Sequence, residues 1–204
     1  MDKQKIDLKR NEIDNVDKKI VELLNERLSL VQDIGKIKES TGENYYDPSR
    51  ELKVLDKVIS SSSGLIKDSS LESIFREIIS ASISLEKDLN IAYLGPEATF
   101  THQAVMKKFG SSLKACPMKT IYDVFNAVES CECHYGVVPI ENSTEGIVFH
   151  SIDQLVESDL KICSQIFLPI EHCLISNAKS IEEISEVYSK DQALGQCRDW
   201  LRRN

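Results

Sequence analysis

The chain reads as an all-helical segment followed by an α/β segment, and two observations divide it there. Up to about residue 90 the only proline is Pro48, the aromatics are Tyr45, Tyr46 and Phe75, and apolar residues recur at spacings of three and four. Beyond it come the other four prolines, most of the glycines and short β-rich runs separated by polar turns. At 204 residues the chain has room for two modest domains, here 1–89 and 90–204.

The first element is one long amphipathic helix, Asp7 to Glu39. Ile13, Val16, Ile20, Leu23, Leu30, Ile34 and Ile37 form a seam expected to pack on other helices. Between Leu23 and Leu30 that seam asks for carbon and supplies Arg27, while Arg10 and Lys38 fall on its flank. Ser40-Thr41-Gly42 predicts the C-terminal stop. Asp47-Pro48, an N-cap acid before a first-turn proline, opens a second helix that turns Leu52, Leu55, Val58 and Ile59 inward. It ends in the serine run before Gly64. A third helix is predicted to open with Ser69 and Glu72 at capping-box spacing. Its stripe runs from Leu71 to Leu89, with Ser82 and Glu86 where carbon is wanted.

The second segment alternates strand and helix. Strands are expected at Ile91–Leu94, Leu113–Met118 and Tyr135–Ile140, then at Leu160–Phe167 and His172–Ile175. Helices are expected over Thr101–Phe109, from a Thr120/Asp123 cap through Val128, over Ile147–Val156, near Ile181–Ser185 and over Gln192–Trp200.

Composition narrows the function classes. A net charge of −8 argues against nucleic acid or an anionic membrane as partner, without bearing on a small anionic ligand met by a local cluster. No apolar run approaches the roughly 18 residues of a membrane span, and the charged N-terminus is unlike a secretory signal. Six cysteines, all beyond residue 115, include no CxxC pair. They read as reduced thiols of a cytoplasmic protein, with no metal site expected.

Arg10, Arg27, Lys38 and Arg50 form an excess of cations on largely apolar faces, accompanied by Glu51, Ser82 and Glu86. Buried cations need anionic partners, and guanidinium forks suit carboxylates, so the set predicts a pocket for a small polyanion. Arg27 and Lys38 lie about three turns apart, ~16 Å along one face, whereas Arg10 lies ~25 Å from Arg27. No ordinary metabolite spans all three from one straight helix. Arg10 is therefore expected to serve a second pocket, most simply in the other subunit of a symmetric dimer. The competing reading pairs Arg27 internally with Glu51 or Glu86.

Taken in order, Leu8-Lys9-Arg10, Asp17, Asn25-Glu26-Arg27, Gly35-Lys36-Ile37-Lys38, Asp47-Pro48-Ser49-Arg50-Glu51, and Ser82 with Glu86 resemble the all-helical chorismate mutases over about residues 5 to 89. The resemblance implies a three-helix mutase domain in an intertwined homodimer, with one arginine of each site borrowed from the partner. It implies chorismate as substrate, prephenate as product and no cofactor. Arg10 of one subunit with Arg27 and Arg50 of the other would hold the carboxylate end, assisted by Ser82. Lys38 and Glu86 would donate to the ether oxygen, and Asp47 and Glu51 would address the ring hydroxyl. Some relatives carry glutamine at the Glu86 position. A glutamate donates there only while protonated, so activity is expected to favour acid.

Ile91 to Ala104, Val137 to Gly146, and Val187-Tyr188-Ser189 with Gln192 to Cys197 resemble, in that order, the prephenate dehydratases over about residues 90 to 204. By themselves such strand-to-helix loops are most often caps. The resemblance implies a two-lobed, periplasmic-binding-protein-like α/β domain with substrate in its cleft. Ala98 stands where a glycine is more usual, and the family's Thr-Arg-Phe motif, which carries its expected catalytic threonine, does not occur. The resemblance thus implies an incomplete dehydratase domain with little activity, leaving Thr99, Thr101, Glu141, Asn142, Ser143 and Thr144 as substrate contacts. His102, His134, His150 and His172 read as structural or exposed. Two alternatives stay open: an isochorismate pyruvate lyase on the mutase fold, and a helical dimerisation module joined to a solute-binding sensor.

Overall fold

A computed structural model describes residues 2–41, 46–143 and 146–204. Helix α1 spans Asp2–Thr41, α2 Pro48–Ser60 and α3 Asp68–Glu86. The Asp47 carboxylate caps α2, accepting from the backbone N–H groups of Ser49 and Arg50, with Pro48 in the first turn, as the sequence predicts. The expected cap of α3 does not form. That helix starts two residues earlier, behind Lys67 as N-cap, which gives no side-chain cap, and Glu72 turns to Arg76, four residues on. Gly42, the expected stop after α1, lies outside the described residues.

Helix α3 touches both α1 and α2. With 19 residues against 40, it runs ~28 Å beside a helix of ~60 Å. Only Leu24, Arg27, Leu28, Val31, Gly35 and Lys38 of α1 are therefore even partly covered. The apolar seam is not: Ile13, Val16, Ile20, Leu23, Leu30, Ile34 and Ile37 are all exposed in the single chain. Within one chain the expected packing of this seam is not made, because it is longer than the chain's other helices. Leu52 of α2 is exposed as well, leaving Leu55 as the buried residue of its apolar face.

The second segment is built on strands β1 (Asn90–Leu94), β2 (Lys114–Met118) and β3 (Tyr135–Val137), parallel in the order β2-β1-β3. Helix α4 (Phe100–Phe109) connects β1 to β2, and α5 (Ile121–Glu129) connects β2 to β3 under a complete Thr120/Asp123 capping box. Alternation along β1 sorts the two faces: Ile91 and Tyr93 join one core with Val105 and Phe109 of α4, and Ala92 joins the other with Val124 and Ala127 of α5. The first core continues into the helical segment through Tyr46, Leu55, Ile79 and Ile83. At Gly110, φ is +73°, and an added Cβ would stand 2.6 Å from Ser80 Cβ, so α4 ends in direct contact with α3.

Strand β3 stops two residues short of Pro139, which has no N–H for a ladder. A hairpin of β4 (Glu141–Asn142) and β5 (Gly146–Ile147) follows, then α6 (Phe149–Glu157). The strands expected at Leu160–Phe167 and His172–Ile175 are absent: among the described residues no neighbouring strand pairs with their backbone groups, and they run irregularly. The expected helix near Ile181 is a single 3-10 turn, and the last helix is split at Cys197 into α7 (Asp191–Gln196) and α8 (Arg198–Arg203).

Candidate active sites

The first site lies between α1 and α3. Arg27 Nη1 donates to Ser82 Oγ, and Ser82 Oγ donates to the Ile78 carbonyl at 2.6 Å. Lys38 Nζ stands 3.4 Å from Glu86 Oε2, with side-chain exposures of 19% and 8%. Neither carboxylate of the competing reading is paired with Arg27: Glu86 meets Lys38, and Glu51 is held elsewhere. Burial first, and the nearby Arg50 cation second, lower the pKa of the Arg27 guanidinium. The two cations thus disfavour one another's charge. Such an arrangement is stabilised when an anion enters and answers both.

The remaining helical candidates divide. Asp47 is exposed, and its carboxyl is held below the usual range by the hydrogen bond from the Arg50 backbone and by Ser49. Glu51 is buried and accepts from Arg76 Nη1 at 2.7 Å, Lys108 Nζ at 3.1 Å and Tyr46 Oη at 3.0 Å. A carboxylate has about four lone-pair directions, so three are already spoken for. Arg10 stands apart with Asp7, at 3.4 Å, both side chains exposed.

The second site lies at the carboxyl edge of the parallel sheet. Because β2 and β3 flank β1, connections leave β1 and β3 on opposite faces, and the crevice between their ends is a switch point of the kind that takes ligands in open α/β sheets. The loop after β1 carries Thr99, whose Oγ1 caps α4 by accepting from the His102 N–H and donates to the Pro96 carbonyl at 2.9 Å. Thr101 sits half-buried in the first turn. After β3 come Glu141 and Asn142 in the hairpin and Ser143 in its turn; Thr144 lies outside the described residues. Ala98, between these groups and β1, adopts φ +64°, which accounts for glycine being the easier residue there. His102 accepts from the Ala98 N–H and stacks on Tyr93, and His134 accepts from the Asn90 N–H, structural roles as expected.

Comparison with known proteins finds two families in succession along the chain. The family model for prephenate dehydratase matches residues 91–204. The chain belongs to the prephenate dehydratase family. Ahead of that region, the model for chorismate mutase type II matches residues 9–87. A bifunctional chorismate mutase/prephenate dehydratase from Aquifex aeolicus is 46% identical over 96% of this chain and 55% of its own length. One from Pseudomonas aeruginosa is 39% identical over 98% of this chain and 56% of its own. The chain thus spans about half the length of the curated relatives it matches. A chorismate mutase structure from Thermus thermophilus is 38% identical over 40% of this chain and 93% of its own, with a TM-score of 0.40.

Two features of this prephenate dehydratase family member escaped the sequence. Gly35 is the one fully buried residue of α1, and a Cβ there would stand 3.2 Å from Glu86 Cγ. Its position in a helix interior, where glycine is unfavourable, was the available signal. The Arg76–Glu51–Lys108 cluster had none, since Lys108 comes from the dehydratase segment, 57 residues on.

Proposed function

We propose that the helical segment is a chorismate mutase that rearranges chorismate to prephenate, and that the α/β segment belongs to the dehydratase step toward phenylpyruvate in L-phenylalanine biosynthesis. The observation that carries this reading is the meeting of Arg27 with Ser82 and of Lys38 with Glu86 between α1 and α3, with Arg27 paired to no carboxylate among the described residues.

The rearrangement is an intramolecular Claisen reaction, so it needs no nucleophile, metal or cofactor. Catalysis consists of holding a dicarboxylate in its folded reactive shape and stabilising charge that grows on the ether oxygen as the bond breaks. Arg27 and Arg50, with Ser82, would bind the carboxylate end. Lys38 and Glu86, whose polar ends already meet, would donate to the ether oxygen. Asp47 would address the ring hydroxyl, and Glu51 would do so with the lone pair left to it.

The assembly is read as an intertwined homodimer. Its support is the apolar seam of α1, left uncovered by the chain's own helices, and Arg10, ~25 Å along that helix from Arg27. A second copy would cover the seam and bring the partner's Arg10 to each site. Mixing Arg10→Ala with Lys38→Ala subunits tests this: hybrid dimers are expected to regain one intact site, both lesions falling in the other. Hybrids that form without regaining activity refute site sharing.

Residues 1–89 and 90–204 are read as the two domains, the second as belonging to a two-lobed, periplasmic-binding-protein-like fold. The β2-β1-β3 sheet with helices on both faces supports this. Thr99, Thr101, Glu141, Asn142, Ser143 and Thr144 remain its proposed substrate contacts. Six free cysteines fit a cytoplasmic setting, and no helix among the described residues is long and apolar enough to cross a membrane.

The direct test incubates purified protein with chorismate, follows its ultraviolet absorbance, and assays prephenate, phenylpyruvate and pyruvate separately. Chorismate loss with prephenate accumulating and little phenylpyruvate is expected, since the 204 residues contain no Thr-Arg-Phe. Pyruvate would favour the lyase. No chorismate loss would favour the dimerisation module.

A further inference from the structure

The first turn of α2 carries Asp47 and Arg50, both proposed above for the mutase site and both exposed. What fixes their position lies on either side of them. Tyr46, immediately before, is 5% exposed, and its ring lies 5.3 Å from that of Phe109 in α4 and 5.2 Å, edge-on, from that of Tyr135 in β3. Glu51, immediately after, is held by Lys108 Nζ at 3.1 Å and Arg76 Nη1 at 2.7 Å, and Arg76 also donates to the Lys108 carbonyl at 3.1 Å. The Lys108 ammonium stands 5.9 Å from the centre of the Tyr46 ring, joining the two anchors. Phe109, Tyr135 and Lys108 all belong to the α/β segment.

From this bracket we infer that the dehydratase segment positions the mutase's substrate-binding turn, with Lys108 as the positioning residue. The inference rests on the mutase reading above. Its physical basis is the exposure of the turn itself: Asp47 and Arg50 both face solvent, so the turn that carries them must be held by the residues on either side of it. A buried carboxylate that binds one cation from its own segment and one from the next provides that hold. Arg76 alone still neutralises Glu51 once Lys108 is gone, so the helical core survives. The direct ion pair from α2 to α4 does not. Loss of Lys108 therefore loosens Arg50 before substrate binds, which weakens binding more than it alters the bound complex.

The test uses the whole chain and measures kcat and KM for chorismate with the thermal midpoint alongside. Lys108→Met keeps the aliphatic stem and removes the charge; it is expected to raise KM five- to tenfold with kcat within twofold of wild type and the midpoint little changed. Lys108→Arg is expected to restore KM, and Tyr135→Leu, acting through Tyr46, to raise it. The inference is overturned if Lys108→Met leaves KM within twofold, if Lys108→Arg is as impaired as Lys108→Met, or if kcat, KM and midpoint fail together. No turnover by the wild-type chain overturns the mutase reading and this inference with it, whereas wild-type turnover with an unmoved KM in Lys108→Met overturns the inference alone.

Discussion

Replacing Gly35 by alanine should raise stability and lower activity, a combination that ordinary damage to a fold does not produce. Gly35 lies inside α1, where alanine is favoured over glycine by roughly 1 kcal/mol because it restricts the unfolded chain. Against that gain, the new methyl would stand 3.2 Å from Glu86 Cγ, 3.6 Å from Glu86 Cβ and 3.9 Å from its Cα. Cγ is a flexible atom and yields by a few tenths of an ångström at small cost in stability. The carboxylate it carries must move with it, away from the 3.4 Å approach to Lys38. A misplacement of 1 Å at a reacting group costs about a hundredfold, so a shift of a few tenths is expected to lower kcat by roughly three- to tenfold, with KM little changed. Steady-state kinetics on chorismate and a denaturant titration are the assays. An unchanged kcat, or a fall in kcat accompanied by a fall in stability, would refute this role for the Gly35 contact.

Three further outcomes follow from the same geometry. Gly110→Ala should destabilise the chain by about 2–4 kcal/mol, read as a lower denaturant midpoint, because it combines an unfavourable positive φ with a Cβ placed 2.6 Å from Ser80 Cβ. His134 is held below its ordinary value of 6.5 by burial and then by Lys87, and it accepts the Asn90 N–H only while neutral. Both folded and unfolded chains carry it neutral above that value; below it the unfolded chain takes up the proton first, so stability should fall as pH drops through 6.5 toward the folded value, and His134→Asn should lose less between about pH 7.5 and 5.5. Glu86→Ala should lower kcat on chorismate by about a hundredfold while Glu86→Gln retains most of it, because an amide can donate to the ether oxygen and a methyl cannot; equal losses in the two variants would remove Glu86 from that role.

Local physics was enough to read the elements whose start and stop signals lie next to one another in the chain. Asp47-Pro48 opened α2, Thr120 and Asp123 capped α5, and the run from Ile91 to Leu94 became the central strand. Arg27, Lys38, Ser82 and Glu86 stood out as polar residues on apolar stripes, and the fold brings Arg27 to Ser82 and Lys38 to Glu86 across 55 and 48 residues. Where local signals competed with distant contacts, the local ones lost. Ser69 and Glu72 have capping-box spacing, but Glu72 is drawn to Arg76, which Glu51 and the Lys108 carbonyl also hold.

By itself the sequence determined which polar residues stand on apolar stripes and in which elements they sit, because helix periodicity and caps depend on neighbours within four or five positions. Only the tertiary structure decided which of those residues meet. The seam of α1 is apolar whether or not anything covers it, and its own chain leaves it uncovered because α3 is half the length of α1. Glu51 carries the same charge in any register, yet it is committed to Arg76 and Lys108 because Gly110 lets α4 end against α3. Contacts of that kind join positions far apart in the chain, and no pattern of short period records them.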